Sequence, residues 1–360
     1  MLNGCRVDVR RMELAPYAID DEASKKSVSI VYYGNHNYIH SEKYTKHFPE
    51  LHNRIVYFAR KKLKRSPQME LYALGTGSAF TMNNWQSNFL IRKNGKCLLI
   101  DAGGDVRFPL GERGVSVADI DAVYISHLHA DHIGGLEWLG FSTLFNPTLK
   151  KPTMFGEANL LRDLWNKSLV GGMEGLEGTK YTEEHGNGVL LSTYFDVHPV
   201  STNSSFTWEG VRFDIIQSVH ITCKYALSNS FGLMWTDPDT KERVYLTTDC
   251  QYSPEASMRA FYGEADFIFQ DCETSPFKSG VHANYVDLVT LSPASKAKMW
   301  LYHYQDNVLA DYDTWNAKAI ADGFRGFVKT GASFARTYDK QEGGTLGNPM
   351  YVALCAAGRA

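Results

Sequence analysis

The chain has 360 residues, enough for one large domain or two smaller ones, and its 44% hydrophobic content suffices for a core. Lys and Arg number 37 against 40 Asp and Glu; the net charge of −3 gives no general attraction to nucleic acid. No run of about 18 apolar residues occurs, so no membrane span is expected, and six scattered cysteines without a Cys-x-x-Cys pair argue against a disulfide framework or a zinc ribbon.

Residues 1–67 read as an N-terminal extension. Met1–Arg6 carries no apolar leader stretch, so secretion is not expected and a reducing cytoplasm fits the cysteine usage. Ser27–Tyr33 reads as a strand ended by Gly34-Asn35, and Pro49–Lys64 as an amphipathic helix with Pro49 in its first turn. His36, His40, His47 and His52 lack a tight ligand spacing. The basic run Arg60–Arg65 reads as a solvated face, with a nucleic-acid or subunit contact as the alternatives. Ser66-Pro67 then breaks the chain.

Residues 68–340 read as one domain and 341–360 as a C-terminal tail. Met69–Leu74 is a strand ending in Gly75-Thr76-Gly77-Ser78. Ser87–Ile91 and Cys97–Ile100 flank Asn94-Gly95, a hairpin signal. Ala122–Ser126 reads as a buried strand, and Ile133–Leu139 opens like a helix. A helix is expected over Glu157–Leu169, followed by a glycine-rich mobile loop over Gly171–Gly178, which reads equally as a plain loop or as a lid or subunit contact. Strands recur at 211–219, 231–236, 243–248, 266–270 and 299–303, with helices near 284–292 and 312–322.

Between the strand 122–126 and the helix that follows lies His127-Leu128-His129-Ala130-Asp131-His132. Buried histidine and aspartate cost several kcal/mol unless paired or metal-bound. Borderline-soft divalent ions such as zinc take both ligand types. A strand end that delivers four such groups at once is hard to explain as packing.

This His-x-His-x-Asp-His run resembles the signature of the metallo-β-lactamase superfamily. Four further pieces match in order: Asp101 after Leu98-Leu99-Ile100, His220 after Phe213–Val219, Asp249 after Val244–Thr248, and His303 after Met299–Tyr302. The resemblance implies an α/β (α+β) fold, a four-layer αβ/βα sandwich with the metal loops along one edge. It implies two divalent ions, zinc by default with manganese or iron as alternatives. His127, His129 and His220 would hold one; Asp131, His132 and His303 the other; Asp249 would bridge them. Asp101 would orient a ligand rather than bind metal. A hydroxide shared by the ions would be the nucleophile.

Finer features narrow the branch. Leu74–Ala79 resembles the first motif of ribonuclease Z and its relatives. Asp271-Cys272-Glu273-Thr274 and Val281-His282-Ala283-Asn284 fall where those proteins carry His-Glu-Ala-Thr and Gly-His-Ser-Thr. His282 would therefore assist the leaving oxygen, so catalytic parts fall to Asp131 and His282, with Glu273 standing in beside the site. Only 29 positions separate His220 from Asp249, room for strand-turn-strand about Asp237-Pro238-Asp239, so the tRNA-gripping arm inserted there in some ribonuclease Z enzymes is missing.

Arm-less relatives include the phage and bacterial anti-Pycsar proteins, which destroy cyclic pyrimidine nucleotides used as defence signals. The expectation is a metal-dependent phosphodiesterase for a small diester such as a cyclic nucleotide, with Phe80, Trp85 and Tyr252 as candidates to stack on a base. The rivals are a ribonuclease Z-like RNA endonuclease, a thioester or lactam hydrolase, and a non-catalytic metal-stabilised binding module. Nucleic acid is the lesser partner, and a homodimer is plausible through the glycine-rich loop or the extension.

Overall fold

The computed structural model describes strands at residues 17–21, 26–33 and 36–38, and residues 69–176, 188–224, 226–253, 261–335 and 337–347. It divides into two compact units, Met1–Ser66 and Pro67–Ala360. In the first, β1 (Tyr17–Asp21), β2 (Lys26–Tyr33) and β3 (His36–Tyr38) form an antiparallel sheet. The strand expected at Ser27–Tyr33 is β2. The helix expected over 49–64, the basic run, His40, His47, His52 and residues 177–178 lie outside the described residues.

The second unit opens with a meander. β4 (Glu70–Gly75) pairs antiparallel with β5 (Asn88–Lys93), which turns into β6 (Lys96–Ile100). Asn94 and Gly95 both take positive φ, +53° and +79°, as a two-residue hairpin demands. From β6 the sheet becomes parallel through β7 (Ile120–Ile125), β8 (Thr153–Glu157) and β9 (Asp196–Val200).

The second sheet holds β10 (Ser205–Trp208), β11 (Val211–Cys223), β12 (Ala226–Thr236), β13 (Arg243–Leu246), β14 (Phe267–Asp271), β15 (Met299–Tyr302) and β16 (Gly326–Phe327). Its last four strands are parallel. The chain then returns to the first sheet, where β17 (Thr330–Phe334) pairs with β4 and with β18 (Glu342–Thr345). Residues 342–345, read from sequence as the start of a tail, thus form an edge strand. Between His220 and Asp249, β11 ends at Cys223, β12 runs from Ala226 to Thr236, and a turn at 237–242 leads into β13, so Asp237–Asp239 belongs to that turn.

The period-two alternation of the second sheet explains the layering. Val244, Leu246, Phe267, Phe269, Trp300 and Tyr302 enter the large core shared with the first sheet. Their neighbours Tyr245, Ile268, Met299 and Leu301 enter a smaller core with Leu288, Val308, Tyr312 and Ala319 of the helices at 285–288, 306–310 and 312–321. The sheets meet face to face: Phe155 stacks on Phe206 at 4.3 Å, Phe89 meets Tyr302 edge-on at 5.1 Å, and the Tyr124 hydroxyl donates to the Phe231 carbonyl at 2.8 Å. Helices over 107–112, 136–144 and 158–164 contribute Leu110, Leu136, Leu139, Leu160 and Leu164 to the large core. The result is the helix–sheet–sheet–helix sandwich expected from sequence.

The glycine-rich stretch departs from expectation. The helix that begins at Ala158 runs on through a π-helical stretch at Trp165–Leu169 into Val170–Met173, then a 3-10 turn at Glu174–Leu176. Gly171–Leu176 is therefore helical rather than a loop, because Leu169 and Met173 are buried and anchor it. A Cβ on Gly140 would stand 2.8 Å from the Met173 methyl, so the glycine lets that side chain in. No helix among the described residues is long and apolar enough to cross a membrane.

Candidate metal centre

The parallel strands end along a common edge, and each end delivers a titratable side chain: Asp101 after β6, His127 after β7, Asp249 after β13, Asp271 at the end of β14, His303 after β15. Three of these turns use a left-handed backbone at a non-glycine residue: Asp101 (φ +60°), Thr248 (+55°) and His303 (+64°). Such conformations cost about 1–3 kcal/mol and persist where surrounding contacts over-determine them. His220 comes from inside β11, where the register slips between Val219 and Ile221; the bulge re-aims the ring.

The side chains converge on Asp249. Its Oδ2 lies 3.6 Å from His127 Nε2, 3.2 Å from His132 Nε2, 3.8 Å from His220 Nε2 and 3.4 Å from His303 Nε2. Asp131 Oδ2 is 3.2 Å from His132 Nε2 and 3.3 Å from His303 Nε2. Donor atoms fall into the group His127, His129, His220, Asp249 and the group Asp131, His132, Asp249, His303, with Asp249 common to both. A third, overlapping group is Asp249, Asp271, His282 and His303.

These residues fit divalent cations. Both Asp249 oxygens, His127 Nε2 and His132 Nε2 are buried without a hydrogen-bond partner, an arrangement that is costly unless another group satisfies them. A tetrahedral shell with bonds of about 2.0–2.1 Å sets its ligand atoms roughly 3.3 Å apart. The separations around Asp249 match that spacing and lack hydrogen-bond alignment.

The far ring nitrogens are held. Asp101 accepts from the Ser126 amide (2.8 Å) and hydroxyl (2.6 Å) and contacts His132 Nδ1 at 2.7 Å, while Ser126 Oγ contacts His127 Nδ1 at 3.0 Å. One carboxylate thus sets two rings and leaves their Nε2 atoms facing Asp249. His220 Nδ1 meets the Val281 carbonyl at 2.9 Å.

Electrostatics divide the two groups. Burial pushes the pKa of His127 well down, that of His220 to about 4, and that of His129 down as well. These imidazoles are neutral at pH 7. Burial also opposes the charged form of His132 and His303, but Asp249, Asp131 and, for His303, Asp271 outweigh it; His132 is held well above its usual range and His303 at about 10. Burial would raise the Asp131 and Asp249 carboxyls, yet the neighbouring imidazoles hold both well below the usual carboxylate range.

A consequence is testable. Filling the second group at pH 7 must displace the protons of His132 and His303, so full loading should release about two protons per chain from these rings, besides any from bound water. The metal affinity of that group falls as pH falls, since protons compete, and the release shrinks as pH rises through about 10, where His303 is already neutral. Titration calorimetry of zinc into metal-free protein, in buffers of different ionisation enthalpy, measures it. Zero release at pH 7 would contradict the assignment of charge.

His282 stands at the rim, the least buried of the residues around Asp249 apart from His129. Its Nδ1 is 2.8 Å from Asp271 Oδ2 and 3.8 Å from Asp249 Oδ2. Burial lowers its pKa, but Asp271 more than compensates and the net shift is upward. Asp271 also accepts from the Cys250 amide at 2.8 Å and lies 3.5 Å from His303 Nδ1.

Asp271 is therefore the carboxylate beside His282, the part that the sequence reading gave to Glu273. The Glu273 carboxylate instead accepts from the Ser279 amide and the Asn284 side chain, pinning the loop that carries His282. The strand end decides this: Asp271 is the last residue of β14 and opposes Tyr302 of β15, whereas Glu273 lies past the strand and bridges to Asn284. The signal was present, since Asp271 closes an apolar run, Phe267–Phe269, much as Asp101 closes Leu98–Ile100.

Residues 69–334 match the sequence family described as anti-Pycsar protein Apyc1. An anti-Pycsar protein Apyc1 of Paenibacillus harenae is 33% identical over 241 residues, covering 67% of this chain and 91% of that protein. One from Bacillus phage 010DV004 is 30% identical over 247 residues, 67% of this chain and 90% of the relative. Among solved structures, the metallo-β-lactamase fold protein YhfI of Bacillus subtilis superposes with a TM-score of 0.56 at 18% identity, over 74% of this chain and 99% of its own. A diphosphatase of the PhnP family gives 0.55 at 16% identity, over 74% and 97%.

Proposed function

Because the chain belongs to the anti-Pycsar Apyc1 family, we propose that it is a hydrolase of small phosphodiesters, using two divalent ions held by His127, His129 and His220 on one side and Asp131, His132 and His303 on the other, with Asp249 between. A cyclic nucleotide is the substrate this reading favours. The observation that supports it is the meeting of both donor groups at Asp249 with His282 alongside. Such ions supply Lewis acidity toward phosphoryl oxygens and bring the pKa of water down to about 7.

The chain's own residues do the rest. Asp101 and Ser126 keep His132 and His127 in one tautomer and orientation. Asp271 engages His282 Nδ1 and favours its protonated form, which leaves Nε2 to donate to the departing alkoxide oxygen. That role has no use in thioester cleavage, where a thiolate departs without a proton.

The test is a hydrolysis panel on zinc- and manganese-loaded protein: 3′,5′-cyclic nucleotides, a tRNA precursor, a thioester and a β-lactam, with His129→Ala as blank. Turnover of cyclic nucleotides with RNA untouched is expected. Cleavage of the precursor alone would replace the reading with an RNA-processing one.

A further inference from the structure

Resting on the phosphodiesterase reading, we propose that Phe80 is the platform on which the base of a nucleotide substrate stacks. The loop carrying it, residues 76–87, is tied to both halves of the metal centre. On one side the Ser78 amide donates to the Tyr304 carbonyl at 3.1 Å, next to His303. Asp306 then takes the loop tip, accepting from the Met82 amide (2.9 Å), the Asn83 amide (3.2 Å) and the Thr81 hydroxyl. On the other side the Gln86 amide donates to Asp105 Oδ2 at 2.9 Å. A Cβ on Gly103 would stand 2.2 Å from the Asp131 carbonyl and 2.8 Å from Gln86 Oε1, so loop and ligand turn are packed together at that point.

On this fixed frame Phe80 is 91% exposed. The other two aromatics suggested by sequence are engaged. Trp85 stacks on Phe108 at 5.5 Å and directs Nε1 to Glu112 at 3.3 Å. Tyr252 shares a hydrogen bond with Thr290 at 3.0 Å and packs against the smaller core. A phenyl ring held in water by an ordered loop, beside a centre suited to phosphate, fits a ligand that joins a phosphodiester to a flat ring. Stacking of this kind is tolerant of base identity and is worth roughly 5- to 150-fold in affinity. Phe80 therefore sets how strongly nucleosides are preferred over other diesters, and leaves the choice among bases to other contacts.

The experiment compares kcat/KM for a 3′,5′-cyclic nucleotide with that for 1-deoxyribose 3′,5′-cyclic phosphate, the same diester without a base, using the metal-loaded full chain. In Phe80→Ala the ratio should fall roughly 5- to 150-fold, chiefly through KM, and Phe80→Trp should restore it. Melting curves check folding, which an exposed ring should not disturb. An unchanged ratio in Phe80→Ala overturns the platform. So does a fall confined to Phe277→Ala, which removes the 81% exposed ring on the loop before His282. Wild-type protein that favours neither substrate overturns the platform and spares the phosphodiesterase reading; wild-type protein inert on both overturns the two together.

Discussion

Asp249→Asn should lower phosphodiester turnover by at least about a thousandfold, because bridging by one carboxylate is worth several kcal/mol of charge stabilisation and each 1.4 kcal/mol is tenfold. Five imidazole nitrogens lie within 3.2–3.8 Å of its Oδ2. Asparagine keeps the shape and removes the charge, so both donor groups lose their shared anion. Metal content by mass spectrometry should drop with activity, while circular dichroism reports an intact fold. His129→Ala opens the group of His127 and His220 and should likewise abolish metal loading and turnover, which is why it serves as the blank. Full loading and full turnover in Asp249→Asn would remove the basis for the metal centre.

His282→Ala should cost about 10²- to 10⁴-fold on a diester with an alkoxide leaving group. On a p-nitrophenyl ester the loss should be far smaller, since that leaving group departs without a proton. The contrast separates proton donation from mere support of the site, which would cost both substrates alike. Asp271→Asn carries a pH signature. With His282 as the proposed proton donor, its acid form is the active one, so activity should decline as pH rises through its pKa. Asp271 raises that pKa against the effect of burial; without its charge the alkaline limb should move to lower pH. A limb that stays in place would show that Asp271 does not act through His282.

Much of the site was legible because its residues sit at the ends of apolar runs. A strand buried on both faces is a recognisable block of Val, Ile, Leu and Phe, and the polar residue that follows is displayed at the sheet edge. The superfamily resemblance pointed to Asp101, the 127–132 run, Asp249 and His303 on such runs, and the structure brings these side chains to one edge. Residue order failed for Asp271 and Glu273, two residues apart on one chain. Which of them reaches His282 depends on β14 ending at Asp271 and on the Ser279 amide that draws Glu273 away. It failed again at Gly171–Leu176, where glycine content signals a loop but burial of Leu169 and Met173 keeps the helix going.

The sequence by itself determined the candidate ligand types and their order and, through the family resemblance, the layered α/β fold and the central place of Asp249, because residue chemistry is written position by position. Only the tertiary structure decided that Asp271 rather than Glu273 pairs with His282, and that Phe80 alone of the three candidate aromatics stands exposed. Those outcomes depend on groups up to some 230 positions apart being brought to one edge by strand register, positive-φ turns and loop anchoring, and no local pattern encodes such distances.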